Sequence, residues 1–549
     1  MMTAWISDQR DGTYLNPVLN GDYSDVDVVR VGDDYYLTSS SFTNVPGLPI
    51  LHSRDLVNWT IIGYALSRLV PEAHYLVPRR GGGVWAPTIR HRNDKFMIYY
   101  ADPDFGTYVV TAIDPTGPWT PPVLVDATKG AIDPAPLWDE DGQGYLVYAF
   151  AKSRSGIDNI IALKRLNADG TATVGEEIRI IEAGAFPPVE TSQGLMPWFT
   201  VEGPKLYKRG RYYYVFAPAG SVKGGWQGVF RSEAIEGPYE GRSVMDQGAT
   251  EINGPHQGAW VDTPDGNENW FLHFQDTDAY GRRVMLQPMI WDDDGWPLIG
   301  ERQEGKHYGQ PVQSFRKPDL PVHPVAAPVA DDDFKDGFHL GWQWSANPAS
   351  DWFDASIKGK LRLKSVSSSA NLWEAGNLLT QKLPGMAFSV TATLSLAPNL
   401  EGERAGLLVF GADYGWIGLE NTADGVKLVQ VTRLKASAGG AETVLSAPLK
   451  VAGPVIVRAI LEPVTVPQPV PPFPNYWPSM LRATMASVRF CYSTDGETFV
   501  PIGSGFLAPP GRWVGVQIGI FAQALIGTPS NVATRVGYAE FERFTIAAV

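Results

Sequence analysis

Ile132-Asp133-Pro134-Ala135-Pro136-Leu137-Trp138 runs into the polar turn Asp139-Glu140-Asp141-Gly142 and then into the aromatic strand Tyr145 to Tyr148. The same unit, a residue able to do chemistry at the head of a short apolar run, then a turn and an aromatic strand, occurs five times. The other copies open at Asp25-Val26-Asp27-Val28, Trp85-Ala86-Pro87-Thr88, Glu202-Gly203-Pro204-Lys205 and His256-Gln257-Gly258-Ala259. Each is followed by a second hairpin, best marked at Leu51 to Trp59 and Val110 to Trp119. Repeats of this size built from short strands predict a β-propeller. Its innermost strands crowd one axis, so Asp25, Asp133 and Glu202 are expected to meet at its centre.

Working outward, five such blades fill residues 1–316. Residues 317–330 hold Pro318, Pro321, Pro324 and Pro328, which suits a semi-rigid linker and no sheet interior. In 331–549 the apolar period stays near two, as in Leu361 to Leu363, Phe388 to Leu394, Gly406 to Phe410 and Val455 to Ile460, which predicts an antiparallel β-sandwich. The fold class is therefore all-β, a five-bladed propeller followed by a sandwich. One insertion, Pro467 to Pro478 with Phe473, Tyr476 and Trp477, reads either as an ordered surface loop or as a flap over the neighbouring domain.

Composition narrows the partners. With 45 basic and 59 acidic residues the formal charge is -14, which disfavours nucleic acid and anionic membranes. Cys491 is the only cysteine, so neither an intrachain disulfide nor a cysteine metal cluster can form. No apolar run reaches the length of a membrane span. The first residues lack the basic and apolar regions of a signal peptide, so a cytoplasmic location is expected, or a periplasmic or secreted one if a leader has been removed. Self-association into a homo-oligomer stays open.

Three carboxylates at one centre push one another's pKa apart, which prepares one to accept a proton and another to give one. Hydrolysis of a glycosidic bond needs such a pair, and aromatic neighbours suit the apolar faces of a sugar ring. Metal binding by the acids with His256 is the structural alternative. On spacing alone Asp27 competes with Asp25, since the two share a face in a strand; only the axial position favours Asp25.

The chain resembles glycoside hydrolase family 43, in its β-xylosidase and α-L-arabinofuranosidase members with a C-terminal concanavalin-like sandwich. The resemblance rests on Asn16-Pro17-Val18 with Tyr23 to Asp27, Val84 to Pro87, Ile132 to Pro134, Val201 to Pro204, Gly254 to Gly258 and Tyr280 to Arg282 with Leu286 to Met289. It implies an inverting enzyme in which Asp25 is the general base, Glu202 the general acid and Asp133 the residue that orients Glu202 and raises its pKa. Inversion requires the carboxyls of Asp25 and Glu202 to stand roughly 6.5–9.5 Å apart. Phe42 and Trp85 then line the terminal-sugar subsite. Arg282 binds substrate beside Asp133, and Arg283 faces the opposite side of its strand.

The resemblance also associates His256 with a calcium ion on the axis, held largely through water, while the chemistry requires no cofactor; a hydrogen-bonded core histidine is the other reading. Val26 stands where many relatives have proline after the base, a change that would loosen Asp25 slightly. The implied substrate is a xylo- or arabinoxylo-oligosaccharide, cleaved from its non-reducing end. Terminal β-D-xylose is the first choice and α-L-arabinofuranose the nearest rival. A non-catalytic sugar-binding protein is the alternative from another class, though a binder has no need of all three acids.

Overall fold

The computed structural model describes residues 5–451, 453–471, 476–525 and 536–549. The aromatic strands of the repeat each sit second in an antiparallel sheet, between the axial strand and the second hairpin. The first blade is Asp27–Val31, Asp34–Thr38, Gly47–Ser53 and Thr60–Leu66. The second is Trp85–Arg92, Lys95–Asp102, Gly106–Ala112 and Val123–Asp126, and the third Ala131–Trp138, Gly144–Phe150, Ile160–Leu166 and Thr173–Glu182. The fourth is Lys205–Arg209, Tyr212–Ala219, Trp226–Ser232 and Glu240–Asp246, with Gly309–Gln310 and Glu301–Arg302 added at its outer edge. The fifth is His256–Asp262, Asn269–Asp276, Arg282–Trp291 and Pro297–Ile299. The first strands of neighbouring blades pack together around the axis, and the first blade meets the fifth.

The ring is closed by polar stitching as well as by packing. Thr13–Leu15 pairs with Ser314–Arg316. Asn16 Nδ2 donates to the carbonyls of Leu286 (2.9 Å) and Val312 (2.8 Å), and its Oδ1 accepts from the Leu286 N–H at 2.8 Å. One amide thus ties the start of the chain to the fifth blade and to the returning segment.

Beyond the propeller, residues 317–330 form no strand, and the N–H of Ala326 donates to Asn58 Oδ1 of the first blade at 2.9 Å. The sandwich follows as two stacked sheets. One runs Gln343–Trp344, Leu378–Lys382, Gln517–Leu525, Arg404–Phe410, Tyr414–Thr422, Gly425–Arg433, Glu442–Lys450. The other runs Phe353–Asp354, Leu361–Lys364, Tyr538–Ala548, Phe388–Ala397, Val455–Pro467, Arg482–Ser493, Val500–Ala508. Phe388, Val390, Ala392 and Leu394 alternate inward, as the period of two requires. In the first sheet Arg404–Phe410 is buried on both faces. The apolar core between the sheets is continuous with blades one and two through Trp344, Val45, Leu48 and Tyr75, and Val45 bridges Trp344 by backbone pairing. The sandwich is therefore docked on the propeller by core packing. Among the described residues no helix is long and apolar enough to cross a membrane.

The insertion at 467–478 prolongs a hairpin whose pairing extends to Pro467 and Arg482. Trp477 is buried and stacks on Trp226 of the fourth blade with ring centroids 6.2 Å apart. Ser479 Oγ donates to Gln247 Oε1 at 2.8 Å. The indole of Trp477 is consumed in that anchor, and none of the described residues of the insertion lines the central chamber. Phe473 lies outside the described residues.

Candidate active site

The axial strands do not run straight into the centre. Those of blades two, three and five change register within the motif, between Trp85 and Thr88, Ile132 and Ala135, and His256 and Ala259. Asp25, Asp133 and Gln257 sit in the left-handed region, at φ 57°, 58° and 38°. Bulged, left-handed positions re-aim a side chain and cluster at functional sites. Here they turn Asp25 and Asp133 into one chamber of about 310 Å3, lined also by Phe42, Trp85, Glu202 and Arg282.

The two aspartates of the first repeat separate at this point. Asp27 begins its strand, is fully buried and accepts from the Ile89 N–H (2.8 Å) and from Arg90 (2.7 Å), clamping blade one to blade two. Asp25 precedes the strand, and its left-handed backbone breaks the period of two that would have put both side chains on one face. Ser40 Oγ donates to Asp25 Oδ2 at 2.6 Å and Arg282 to Oδ1 at 3.3 Å. Val26 is wholly buried in the core between blades one and five. Packing at Val26 and these two donors restrain Asp25.

Arg282 is where the expectation needs correcting. It faces Asp25, not Asp133. Burial works against its charge, but Asp25, Asp276, Asp22 and Glu202 outweigh that cost and hold its pKa above the ordinary value. Its backbone N–H is fixed by Asp22 Oδ1 at 2.8 Å. Arg283 does lie off the chamber and donates to Thr277 Oγ1 at 3.0 Å.

Asp133 is almost fully buried; its Oδ2 accepts from the Gly203 N–H at 2.8 Å and from Gln257 Nε2 at 3.4 Å. Burial first, then the charges of Glu202 and Asp25, push its pKa well above the usual carboxylate value; the Gly203 N–H and Lys205 pull back less. Folding therefore favours the protonated form. Stability from this group is complete below the ordinary value of 3.8 and is lost as pH rises through the raised one. Asparagine keeps an acceptor for Gly203 and does not titrate. Asp133→Asn is expected to melt above the parent at neutral pH, with the gap shrinking toward about pH 4. Thermal melts across that range check it, and a variant melting lower at neutral pH contradicts it.

His256 is fully buried, and its Nε2 lies 2.9 Å from Glu202 Oε1. Its Nδ1 is a buried atom without a partner. Among the described residues no three His, Cys, Asp or Glu side chains gather as a metal-holding group. The described residues thus offer no cluster of protein ligands at His256; its Nε2 holds Glu202, and its unpartnered Nδ1 would suit an ion held largely through water.

Three contributors had weak signals in the sequence or none. Lys205, three residues after Glu202, is wholly buried on the axis and donates to the Pro87 carbonyl and Thr88 Oγ1, both at 2.7 Å. Burial lowers its pKa, and the charges of Asp27, Asp133 and Asp25 pull the other way, in favour of the ammonium. Ser40 is one serine in a serine run. Trp513 belongs to the sandwich, in the loop joining Val500–Ala508 to Gln517–Leu525. It lines the chamber at φ 67°, with its ring 6.1 Å from Trp85 and the Arg282 guanidinium 5.8 Å away. The loop is pinned to the propeller by the Gly515 N–H on Asp22 Oδ2 (2.8 Å) and the Val516 N–H on the Ala279 carbonyl (2.7 Å). Phe42 and Trp85 form an edge-to-face pair, centroids 6.4 Å apart, that lines the chamber beside Trp513.

Residues 14–297 match the family model "Glycosyl hydrolases family 43". The chain belongs to glycosyl hydrolase family 43. Residues 331–547 match "Beta xylosidase C-terminal Concanavalin A-like domain", which agrees with the two stacked sheets. A protein of Xylanibacter ruminicola is 35% identical, over 93% of this chain and 86% of its own length. A beta-xylosidase of Formosa agariphila is 30% identical, over 98% of this chain and 91% of its own. A non-reducing end alpha-L-arabinofuranosidase of Bacteroides ovatus is also 30% identical, over 76% and 78%. A solved family 43 protein from Bacillus licheniformis superposes with a TM-score of 0.77 at 25% identity, covering 98% of this chain and all of that one. This chain is thus a family 43 glycosidase, built as a propeller with its C-terminal sandwich.

Proposed function

We propose that this family 43 enzyme is an exo-acting, inverting glycosidase that releases terminal β-D-xylose from xylo-oligosaccharides and has α-L-arabinofuranosidase side activity. The observation that carries the reading is the chamber itself. Asp25 and Glu202 line one small space walled by Phe42, Trp85 and, from the sandwich, Trp513. A volume of about 310 Å3 is at the small end of ligand pockets and suits a chain end better than the middle of a polymer.

In this reading Glu202 protonates the leaving oxygen. Its side chain is 27% exposed against 7% for Asp25, so it reaches the open part of the chamber where the leaving group departs. Asp25 takes a proton from the water that attacks the anomeric carbon from the opposite face. Ser40 and Arg282 aim Asp25, and the Arg282 guanidinium compensates its charge beside the sugar. Asp133 secures the peptide after Glu202. The aromatic walls cover the sugar's apolar faces and exclude bulk water.

The beta-xylosidase relative supports xylose, and the arabinofuranosidase relative at the same identity supports the second activity. The test is kcat/KM on paired aryl glycosides, β-D-xylopyranoside against α-L-arabinofuranoside. A preference for the xyloside is expected. The reverse preference would make the enzyme a debranching arabinofuranosidase on the same residues, and silence on both would overturn the exo-glycosidase reading.

A further inference from the structure

Glu202 differs from the other chamber acids in what holds it. It lies in an irregular stretch, residues 197–204, between Gly194–Met196 and Lys205–Arg209, outside any strand. The backbone is left-handed on both sides of it, at Thr200 (φ 50°) and Gly203 (φ 60°). A ladder normally fixes such a residue through its neighbours' N–H groups. Here two of those donors go to side chains of blade three. The Gly203 N–H goes to Asp133, and the Val201 N–H goes to Asn159 Oδ1 at 3.1 Å. The Glu202 N–H itself reaches the Pro218 carbonyl at 3.3 Å.

We propose that Asn159 is a positioning residue for the general acid: its amide oxygen and the Asp133 carboxyl group grip the peptides on either side of Glu202. Asn159 is suited to that task. It stands at the chamber wall immediately before the strand Ile160–Leu166, and its own carbonyl accepts from the Ala183 N–H at 3.0 Å. Its backbone is anchored in blade three, so a bond from its side chain transfers that rigidity to the neighbouring blade. It is left-handed at φ 58°, a conformation asparagine tolerates far better than most residues. Once the Asn159 bond is lost, the peptide before Glu202 loses its hold on blade three, and the long 3.3 Å bond from the Glu202 N–H to Pro218 lets the side chain shift by a fraction of an ångström against Asp133 and His256. Proton transfer is sensitive to displacements of that size.

The proposal rests on Glu202 being the general acid, and the test separates the two claims. Asn159→Gly keeps the left-handed backbone and removes the acceptor, whereas Asn159→Asp keeps both. Each variant is assayed on xylobiose, whose leaving group needs a proton, and on 2,4-dinitrophenyl β-D-xyloside, whose leaving group does not. For Asn159→Gly, kcat on xylobiose is expected to fall by about tenfold or more, with KM and the dinitrophenyl rate within about twofold of the parent. The alkaline limb of the xylobiose pH profile should move, and Asn159→Asp should return most of the lost kcat. Equal losses on both substrates, a change confined to KM, or no recovery with Asp would overturn the proposal. Should Asn159→Gly fail to fold, Asn159→Ser, whose hydroxyl is too short to reach Val201, takes its place. Glu202→Gln run alongside identifies the other failure: if it shows no leaving-group dependence, the assignment of the acid falls.

Discussion

Glu202→Gln should lose about 10²–10⁴-fold in kcat on xylobiose and far less on a dinitrophenyl xyloside. Glutamine preserves the length of the side chain and an oxygen for His256, which lies 2.9 Å from Glu202 Oε1. What it removes is a proton that can be given away. A sugar alkoxide is a poor leaving group and depends on that proton, while dinitrophenolate leaves without it. Steady-state rates on the two substrates read the contrast directly. A uniform loss, with no dependence on the leaving group, would remove the assignment of Glu202 as the acid. No loss on xylobiose would exclude Glu202 as the acid.

Asp25→Asn should behave differently, with kcat falling by about 10²–10⁴-fold on both substrates. The water must be deprotonated whatever departs from the other face, so a better leaving group cannot compensate for a missing base. Asparagine keeps one acceptor oxygen, which can take the bond from Arg282 at 3.3 Å, while its amide NH2 meets the Ser40 hydroxyl, which can turn to accept. The loss should therefore sit in kcat, with KM little changed. Rates on both aryl and disaccharide substrates check this, and rescue of the variant by the better leaving group would contradict it.

Much of this site was legible in the sequence because a repeat converts linear spacing into angular position. Once five units share a heading residue, Asp25, Asp133 and Glu202 must converge, and the aromatic strands mark where each blade turns. Trp85 heads one of the repeats, whereas Phe42 became readable only through the family resemblance. What spacing cannot give is the dihedral that aims a side chain. Asp25 and Asp27 share a face in an ideal strand, and only the left-handed backbone at Asp25 (φ 57°) parts them. The partner of Arg282 had the same weakness: the strand places the guanidinium at the chamber, but the choice between Asp25 and Asp133 is made in three dimensions.

The sandwich contribution was hidden for another reason. Trp513 lies far from every repeat, in a loop whose neighbours are Gly511, Arg512, Val514 and Gly515. Nothing in that string signals that Asp22 and Ala279 receive its backbone. The aromatic cluster at 467–478 was the louder signal, yet Trp477 stacks on blade four. Composition reports that an aromatic will be buried, and the surface it finds is a matter of docking. Lys205 was missed because a lysine in a β-rich sequence ordinarily reads as solvated, whereas a buried cation becomes tolerable where several carboxylates meet.

Asp25 as base to a water, and Glu202 as acid on the opposite face, together require the released sugar to change its anomeric configuration. Proton NMR of the first turnovers on a β-D-xyloside, recorded before mutarotation, measures this. The account predicts that α-D-xylose appears first and the β anomer accumulates later. If β-D-xylose appears first, the reaction proceeds through a double displacement, and the assignment of Asp25 as a base acting on water is wrong.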